Sequence, residues 1–240
     1  MKGTTPQGTR TEQEAARWVR GMFGRIAPRY DLANHLLSGN LDRLWRRRAV
    51  KRVRAILDRP EARVLDICCG TGDLALALRK GGRARVLASD FCHPMLEAAA
   101  RKLPGGVLFE SDALCLPVRD SSLDLITVAF GFRNLANYDG GLREMRRVLR
   151  SGGVAAILEF SNPRSTLFAA LYNFYSRRVL PRIGGLITGS PDAYRYLPES
   201  IQNFPDAPEL ADAMRRAGFA EVSFEYLTGG SVALHLGKVS

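Results

Sequence analysis

An α/β fold on a mostly parallel sheet, covered by helices on both faces, is expected from three features of this chain. From residue 64 onward, short apolar runs alternate with stretches of helical periodicity. The runs are nearly continuous in apolar residues, as strands buried on both sides must be. The last two, EVSFEYL (221–227) and SVALHLGKV (231–239), are separated by Thr228-Gly229-Gly230, a spacing that makes a hairpin and so adds an antiparallel strand.

Residues 1–17, MKGTTPQGTRTEQEAAR, are polar and aperiodic and are expected to be mobile. Over 41–57, Leu41, Leu44, Trp45, Val53, Ile56 and Leu57 recur at helical intervals and predict one buried face. Arg46, Arg47, Arg48, Lys51, Arg52 and Arg54 fall largely on the other side, and Arg59-Pro60 closes the helix. VLDIC (64–68) then leads through a glycine loop into LALALRKGG (74–82), and RVLASDF (85–91) into PMLEAAARKL (94–103). GVLFESDA (106–113) runs into a loop; LDLITVAF (123–130) precedes GGLREMRRVLRSGG (140–153), and VAAILEFS (154–161) follows. Residues 162–205 interrupt the alternation with an aromatic- and proline-rich insert, after which helix PELADAMRRAGF (208–219) leads to the hairpin. The organisation expected is a mobile 1–17 and one domain over 18–240. Its parts are N-terminal helices (18–60), a ligand-binding core (61–161), the insert as a lid (162–205), and a closing helix and hairpin (206–240).

At 240 residues, 46% apolar and 25% charged, the chain has ordinary globular composition. Its formal net charge of +11 is not ordinary. Residues 1–60 alone hold fourteen Lys or Arg against five Asp or Glu, a balance that suits phosphates or an anionic lipid surface. Cys68, Cys69, Cys92 and Cys115 show neither C-x-x-C spacing nor a nearby histidine pair, so no metal site is expected. No apolar run reaches the roughly 18–20 residues of a membrane span, and the first twenty residues lack the apolar core of a secretion signal. A cytoplasmic protein with reduced, structural thiols is the expectation.

The stretch VLDICCGTGD (64–73) carries the first chemistry. A loop leaving the carboxyl end of the first strand lies at the switch point where open α/β sheets bind ligands. Gly70 and Gly72 let backbone approach a ligand. Asp73 places a negative charge at the following helix N-terminus, where a pyrophosphate would otherwise sit. A cationic or zwitterionic ligand fits better. Asp90 ends the second strand eighteen residues after Gly72, where a carboxylate can accept from two ribose hydroxyls. Asp112 ends the third, where an acid can accept from an adenine amino group. Three acids at the ends of successive strands, beside one crevice, point to a nucleoside-bearing cofactor.

With these residues the chain resembles the class I S-adenosylmethionine-dependent methyltransferases. LPVRDSSLDLITVAFGFRN (116–134) and LREMRRVLRSGG (142–153) are similar to that family's later motifs. The resemblance implies a Rossmann-like, seven-stranded sheet. It also implies that Asp66, Gly70, Thr71 and Gly72 line the methionine part of the cofactor, Asp90 its ribose, and Asp112 with Ala113 its adenine. A narrower likeness runs from about residue 20 to the final HLGKV. MFGRIAPRYDLANHLLSGNLDRLWRR (22–47), FGFRN (130–134) and YRYLPESIQNFP (194–205) resemble the C-methyltransferases of quinone biosynthesis. This implies methyl transfer to a ring carbon of a polyprenyl quinol, demethylmenaquinol foremost and the ubiquinone-pathway benzoquinol beside it. Ala129 stands where related sequences often carry Ser, a loss of one hydrogen bond worth about 0.5–1.5 kcal/mol.

A ring carbon becomes nucleophilic when its phenolic oxygen loses a proton, so the protein must align the reactants and stabilise developing negative charge. Arg133 is expected to do the second, as a permanently charged fork of donors, with Asn134 orienting the same oxygen. His35, Tyr194, Tyr196 or a water held by Arg133 is expected to take the proton; Tyr30 and Asp31 either close over the cofactor or cap a helix. The insert, with Arg177, Arg178 and Arg182, is expected as lid and tail channel. A bilayer-dwelling substrate implies peripheral docking to the anionic inner face of the membrane. A homodimer or a quinone-biosynthesis complex are further partners. Three rivals stand beside this reading: a methyltransferase for another small molecule, a nucleic-acid methyltransferase, and a non-catalytic assembly subunit. Phe130-Gly131-Phe132-Arg133-Asn134 lacks the Pro-Pro-aromatic grip on a flipped base, which argues against nucleic acid.

Overall fold

Alternation along the inner strands decides the layering. The computed structural model describes residues 1–163 and 189–240. Its elements begin with helices α1 (Glu12–Ile26), α2 (Tyr30–Leu37), α3 (Leu41–Arg52) and α4 (Arg54–Leu57). Then follow β1 (Arg63–Ile67), α5 (Asp73–Lys80), β2 (Arg85–Asp90), α6 (His93–Lys102), β3 (Val107–Glu110), β4 (Leu123–Ala129), α7 (Tyr138–Val148) and β5 (Leu149–Phe160). After 189 come α8 (Pro191–Gln202), α9 (Ala207–Arg216), β6 (Glu221–Leu227) and β7 (Val232–Lys238). Val64, Leu125 and Ala156 pack on one face of the sheet with Leu57, Leu74 and Leu78. Their chain neighbours Leu65, Ile126 and Ile157 pack on the other with Leu142, Met145 and Met214. Each such side chain contributes about 1.5–3 kcal/mol by leaving water, so both faces must be covered.

The seven strands run β3-β2-β1-β4-β5-β7-β6. β1 to β5 pair in parallel, and β7 enters antiparallel between β5 and β6, as the terminal hairpin predicts. The order reverses between β1 and β4, which opens a crevice at their carboxyl ends.

Two expectations change. The polar N-terminus is not aperiodic to residue 17: Thr11 accepts from the Glu14 backbone, Glu14 reaches back, and this capping box starts α1 at Glu12. Ahead of it, Thr4 is buried, its N–H donates to Leu135 O at 2.8 Å, and its hydroxyl meets Tyr196 Oη at 2.8 Å. Partners so distant in sequence leave no periodic signal. The helix expected over 41–57 breaks at Val53. Its inner stripe is Asp42, Trp45 and Ala49, so Leu41 and Leu44 fall off it and stay 37% and 54% exposed. Of the expected lid, residues 164–188, with Arg177, Arg178 and Arg182, lie outside the described residues, whereas α8 is described.

Candidate active site

After β1 the backbone turns through Cys68, Gly70 and Gly72 at φ of 48°, 55° and 84°. At Gly72 a Cβ would stand 2.9 Å from Leu103 Cδ1 and 3.2 Å from Ala99 Cβ, so only glycine lets the loop lie against α6. This loop, the ends of β2 and β3 and the turn after β4 enclose a cavity of about 930 Å³, counted to its open mouth. Asp66, Gly70, Thr71, Asp90, Asp112, Ala113, Ala129 and Asn134 line it. Gly72 does not. It backs the loop against α6 as a packing position.

Asp66 is paired across the sheet with Thr127, whose hydroxyl donates to Oδ1 at 2.7 Å. Oδ2 is buried without a partner. Burial pushes this carboxyl up to about 7, against the pull of the Thr127 hydrogen bond. Asp90 accepts from the backbone of Gly70 at 2.8 Å and of Cys92 at 2.9 Å. Burial raises its pKa while those N–H groups oppose the rise, and each oxygen keeps a second lone pair for a ligand. Asp112 accepts from Leu114 N at 2.9 Å, which holds it at the cavity rim. Burial first, then Asp90 and Asp66, push the thiols of Cys68 and Cys69 well up. Such thiols are poor nucleophiles, and the two cysteines act as small fillers.

A polar clasp joins α2 and α3 to this loop. Asp31 accepts from Thr71 and pairs with Lys102 at 2.6 Å, and Lys102 pairs with Asp73 at 2.6 Å. Arg46 pairs with Asp42 and lies 3.7 Å from Asp73. The charge of Asp73 is therefore met within the protein rather than left for the ligand. His35 donates from Nδ1 to Asp42 at 2.9 Å and turns Nε2 toward Asp73 at 3.9 Å. It lines neither this cavity nor the next, and its contacts place it in the clasp.

The next cavity, about 1360 Å³ to its mouth, shares Phe23, Tyr30, Arg46 and Phe130 with the first. Its walls include Trp45, Phe160, Tyr194, Tyr196, Ile201 and Arg133. The 3₁₀ turn Phe132–Asn134 thus sets Arg133 on one cavity and Asn134 on the other. Arg133 Nη1 donates to Glu159 Oε1 at 3.1 Å and to Phe130 O, and the guanidinium lies 5.2 Å from the Phe160 ring centre. Burial alone would lower its pKa, but Glu159, with Tyr30 and Tyr196 adding to it, more than offsets that and raises it, so the cation persists. The Nε–H groups of Arg133 and of Arg46 are both buried without a partner. Tyr196 donates to Asn134 Oδ1 at 3.0 Å. Arg46 escapes sequence reasoning because its neighbours mark a solvated face. Glu159 escapes it because an acid inside an apolar strand looks like an interruption.

Residues 9–239 match the model of the ubiE/COQ5 methyltransferase family. The chain belongs to this family. It is 48% identical to the demethylmenaquinone methyltransferase of Thermus thermophilus, over 90% of this chain and 99% of that one. It is 41% identical, over 98% of both chains, to the ubiquinone/menaquinone biosynthesis C-methyltransferase UbiE of Teredinibacter turnerae. In fold it is similar to a SAM-dependent methyltransferase of Thermotoga maritima, with TM-score 0.65 at 21% identity over 92% and 99% of the two chains. It is also similar to the phosphoethanolamine N-methyltransferase 2 of Haemonchus contortus in complex with S-adenosyl-L-methionine, with TM-score 0.52 at 17% identity over 70% and 35%. The ubiE/COQ5 member described here is a SAM-dependent C-methyltransferase.

The first cavity fits that cofactor. The orphaned Oδ2 of Asp66 suits a cationic ammonium donor, and Asp90 suits vicinal hydroxyls. An ammonium held there would need the Asp66 carboxylate, half of which is protonated near its pKa of about 7. Cofactor affinity is therefore expected to fall as pH drops from 8 to 6, with proton release on binding near pH 7. Calorimetry in two buffers of different ionisation enthalpy reads this directly. In Asp66→Asn both the proton release and the pH slope are expected to vanish.

Proposed function

We propose that this protein methylates a ring carbon of a polyprenyl quinol, demethylmenaquinol first and the ubiquinone-pathway benzoquinol as an additional substrate. One observation carries the reading. An aromatic-walled cavity adjoins the cofactor cavity and is lined by Arg46 and Arg133, each with a buried, unpartnered Nε–H. Those are the donors a flat phenolate between apolar walls requires.

When bound in the first cavity, S-adenosylmethionine supplies an electrophilic methyl group on a positively charged sulfur. Asp66 and Thr71 would hold its methionine part, Asp90 its ribose, and Asp112 with Ala113 its adenine; Ala129 leaves the floor there apolar. In the second cavity the two guanidiniums act on the quinol hydroxyl. An opposite charge within about 4–6 Å lowers a phenol pKa from near 10 by about 1–3 units, and two lower it further. A water beside Arg133 then suffices as proton acceptor. Tyr196 is committed to Thr4 and Asn134, so it positions Asn134, and Tyr194 contributes ring surface. Arg133 is held in turn by Glu159, so the charge is set before substrate arrives.

The prenyl tail places the substrate in a bilayer, and this reading includes peripheral association with the anionic inner face of the membrane. Among the described residues, no helix is long and apolar enough to cross it. Incubation of the purified protein with methyl-labelled cofactor and each reduced quinone tests the function. The expected product is the C-methylated naphthoquinol, identified by mass. Label in neither quinol would overturn the proposal.

A further inference from the structure

The helix pair α2–α3 turns its leucines the wrong way for a core. Leu32 and Leu36 lie one helical turn apart on α2, with 63% and 59% of their surface exposed. Leu44 and Leu41, three residues apart on α3, are 54% and 37% exposed. Of the five large apolar side chains that stand most exposed among the described residues, these are four; the fifth, Val107, sits on β3. Ala33 and Trp45, on the same two helices, are buried, so both helices are anchored and the leucines are left over. Scattered exposed leucines need no explanation, but four on one hairpin form a patch of the kind that marks an interaction surface.

Two observations say what the patch meets. It is continuous with the aromatic cavity: Leu41 belongs both to the patch and to the cavity lining, beside Leu37 and Ser38 from the same hairpin. It is also flanked by positive charge without neutralising partners. Arg43 and Arg47 are exposed on α3, and no ion pair among the described residues engages either. Leucines between free arginines, at the mouth of a cavity for a lipid-tailed ring, match a bilayer with anionic headgroups.

Resting on the quinol reading above, we propose that the α2–α3 hairpin is the membrane-entry edge of the enzyme. Leu32, Leu36, Leu41 and Leu44 insert below the headgroups, Arg43 and Arg47 bind anionic lipid, and the quinol passes from the bilayer over Leu41 into the cavity. The assignment moves the docking surface onto a hairpin whose sequence reads as an ordinary amphipathic helix.

Leu36→Gln/Leu44→Gln tests it, because neither residue lines a cavity and glutamine keeps helix propensity. The full-length double variant is expected to bind vesicles of phosphatidylcholine with one-third phosphatidylglycerol at least about tenfold more weakly than the parent. Its turnover of long-tailed quinol in those vesicles falls in parallel. Its cofactor affinity and its turnover of a tail-less quinol in solution stay at the parent's level. Arg43→Gln/Arg47→Gln is expected to weaken binding to anionic vesicles and to flatten its salt dependence. Unchanged vesicle binding by the leucine variant, with tail-less quinol still methylated by the parent, overturns the docking surface and leaves the quinol reading intact. A parent that methylates no quinol in any form overturns the quinol reading instead. A parent that is dimeric by light scattering and a leucine variant that is monomeric also overturn the proposal, since the patch then seats a second copy.

Discussion

Arg133→Ala is expected to lower kcat by about 10²–10³, the usual cost of removing a preorganised donor from developing negative charge, while the cofactor dissociation constant changes little. The same substitution leaves Glu159 buried with its carboxylate unmatched, and breaking a buried pair from one side costs about 3–5 kcal/mol of stability. Arg133→Lys separates the two effects. It restores a cation beside Glu159, and so most of the stability, but it removes the planar fork and the Nε–H that faces no partner in the fold. Its melting temperature is expected near that of the parent, with kcat still at least about tenfold low. A folded Arg133→Lys variant with parental kcat would remove the fork from the mechanism. A folded Arg133→Ala variant with parental kcat would remove the charge as well.

Asp90→Ala is expected to weaken cofactor binding by about 10²–10⁴. Hydrogen bonds to a charged acceptor contribute about 1.5–3 kcal/mol each, and two ribose hydroxyls lose theirs. The N–H groups of Gly70 and Cys92 lose their acceptor as well, so the loop that frames the methionine part loosens. Asp90→Asn keeps the shape and one acceptor oxygen, and is expected to fall between the two. Titration of each variant with S-adenosylmethionine and with its demethylated product measures the effect. Quinol turnover at saturating cofactor should recover most of the parental rate, because Asp90 lines only the first cavity. Parental affinity in Asp90→Ala would take Asp90 out of the cofactor site.

The cofactor half of the site was open to sequence reasoning because each of its parts is a local feature. A glycine at positive φ, an acid closing an apolar run, and a helix starting three residues later are written in consecutive residues. Asp73, Asp90 and Asp112 could be set beside one crevice without knowing any contact, since a parallel sheet delivers the ends of β1, β2 and β3 to one edge, whereas Asp66 enters through the family resemblance. The quinol half reads differently. Arg46 sits in a run of arginines that periodicity assigns to solvent, yet Asp42 and Asp73 draw it inward. His35 is a candidate base by residue type, yet Asp42 takes its Nδ1 and the ring lines neither cavity. Tyr196 finds Thr4 across 192 positions, a pairing that no window of sequence contains.

Hydrophobic period and turn chemistry act over a few residues, and so the strand succession, the closing hairpin and the nucleoside-binding edge followed from the chain alone. Whether a charged side chain ends buried, paired or facing a ligand depends on which distant segments supply its partners, because an ion leaves water only where opposite charge or donors already wait. Folding therefore settled that Glu159 holds Arg133, that the clasp claims His35, and that four leucines of α2 and α3 remain on the outside.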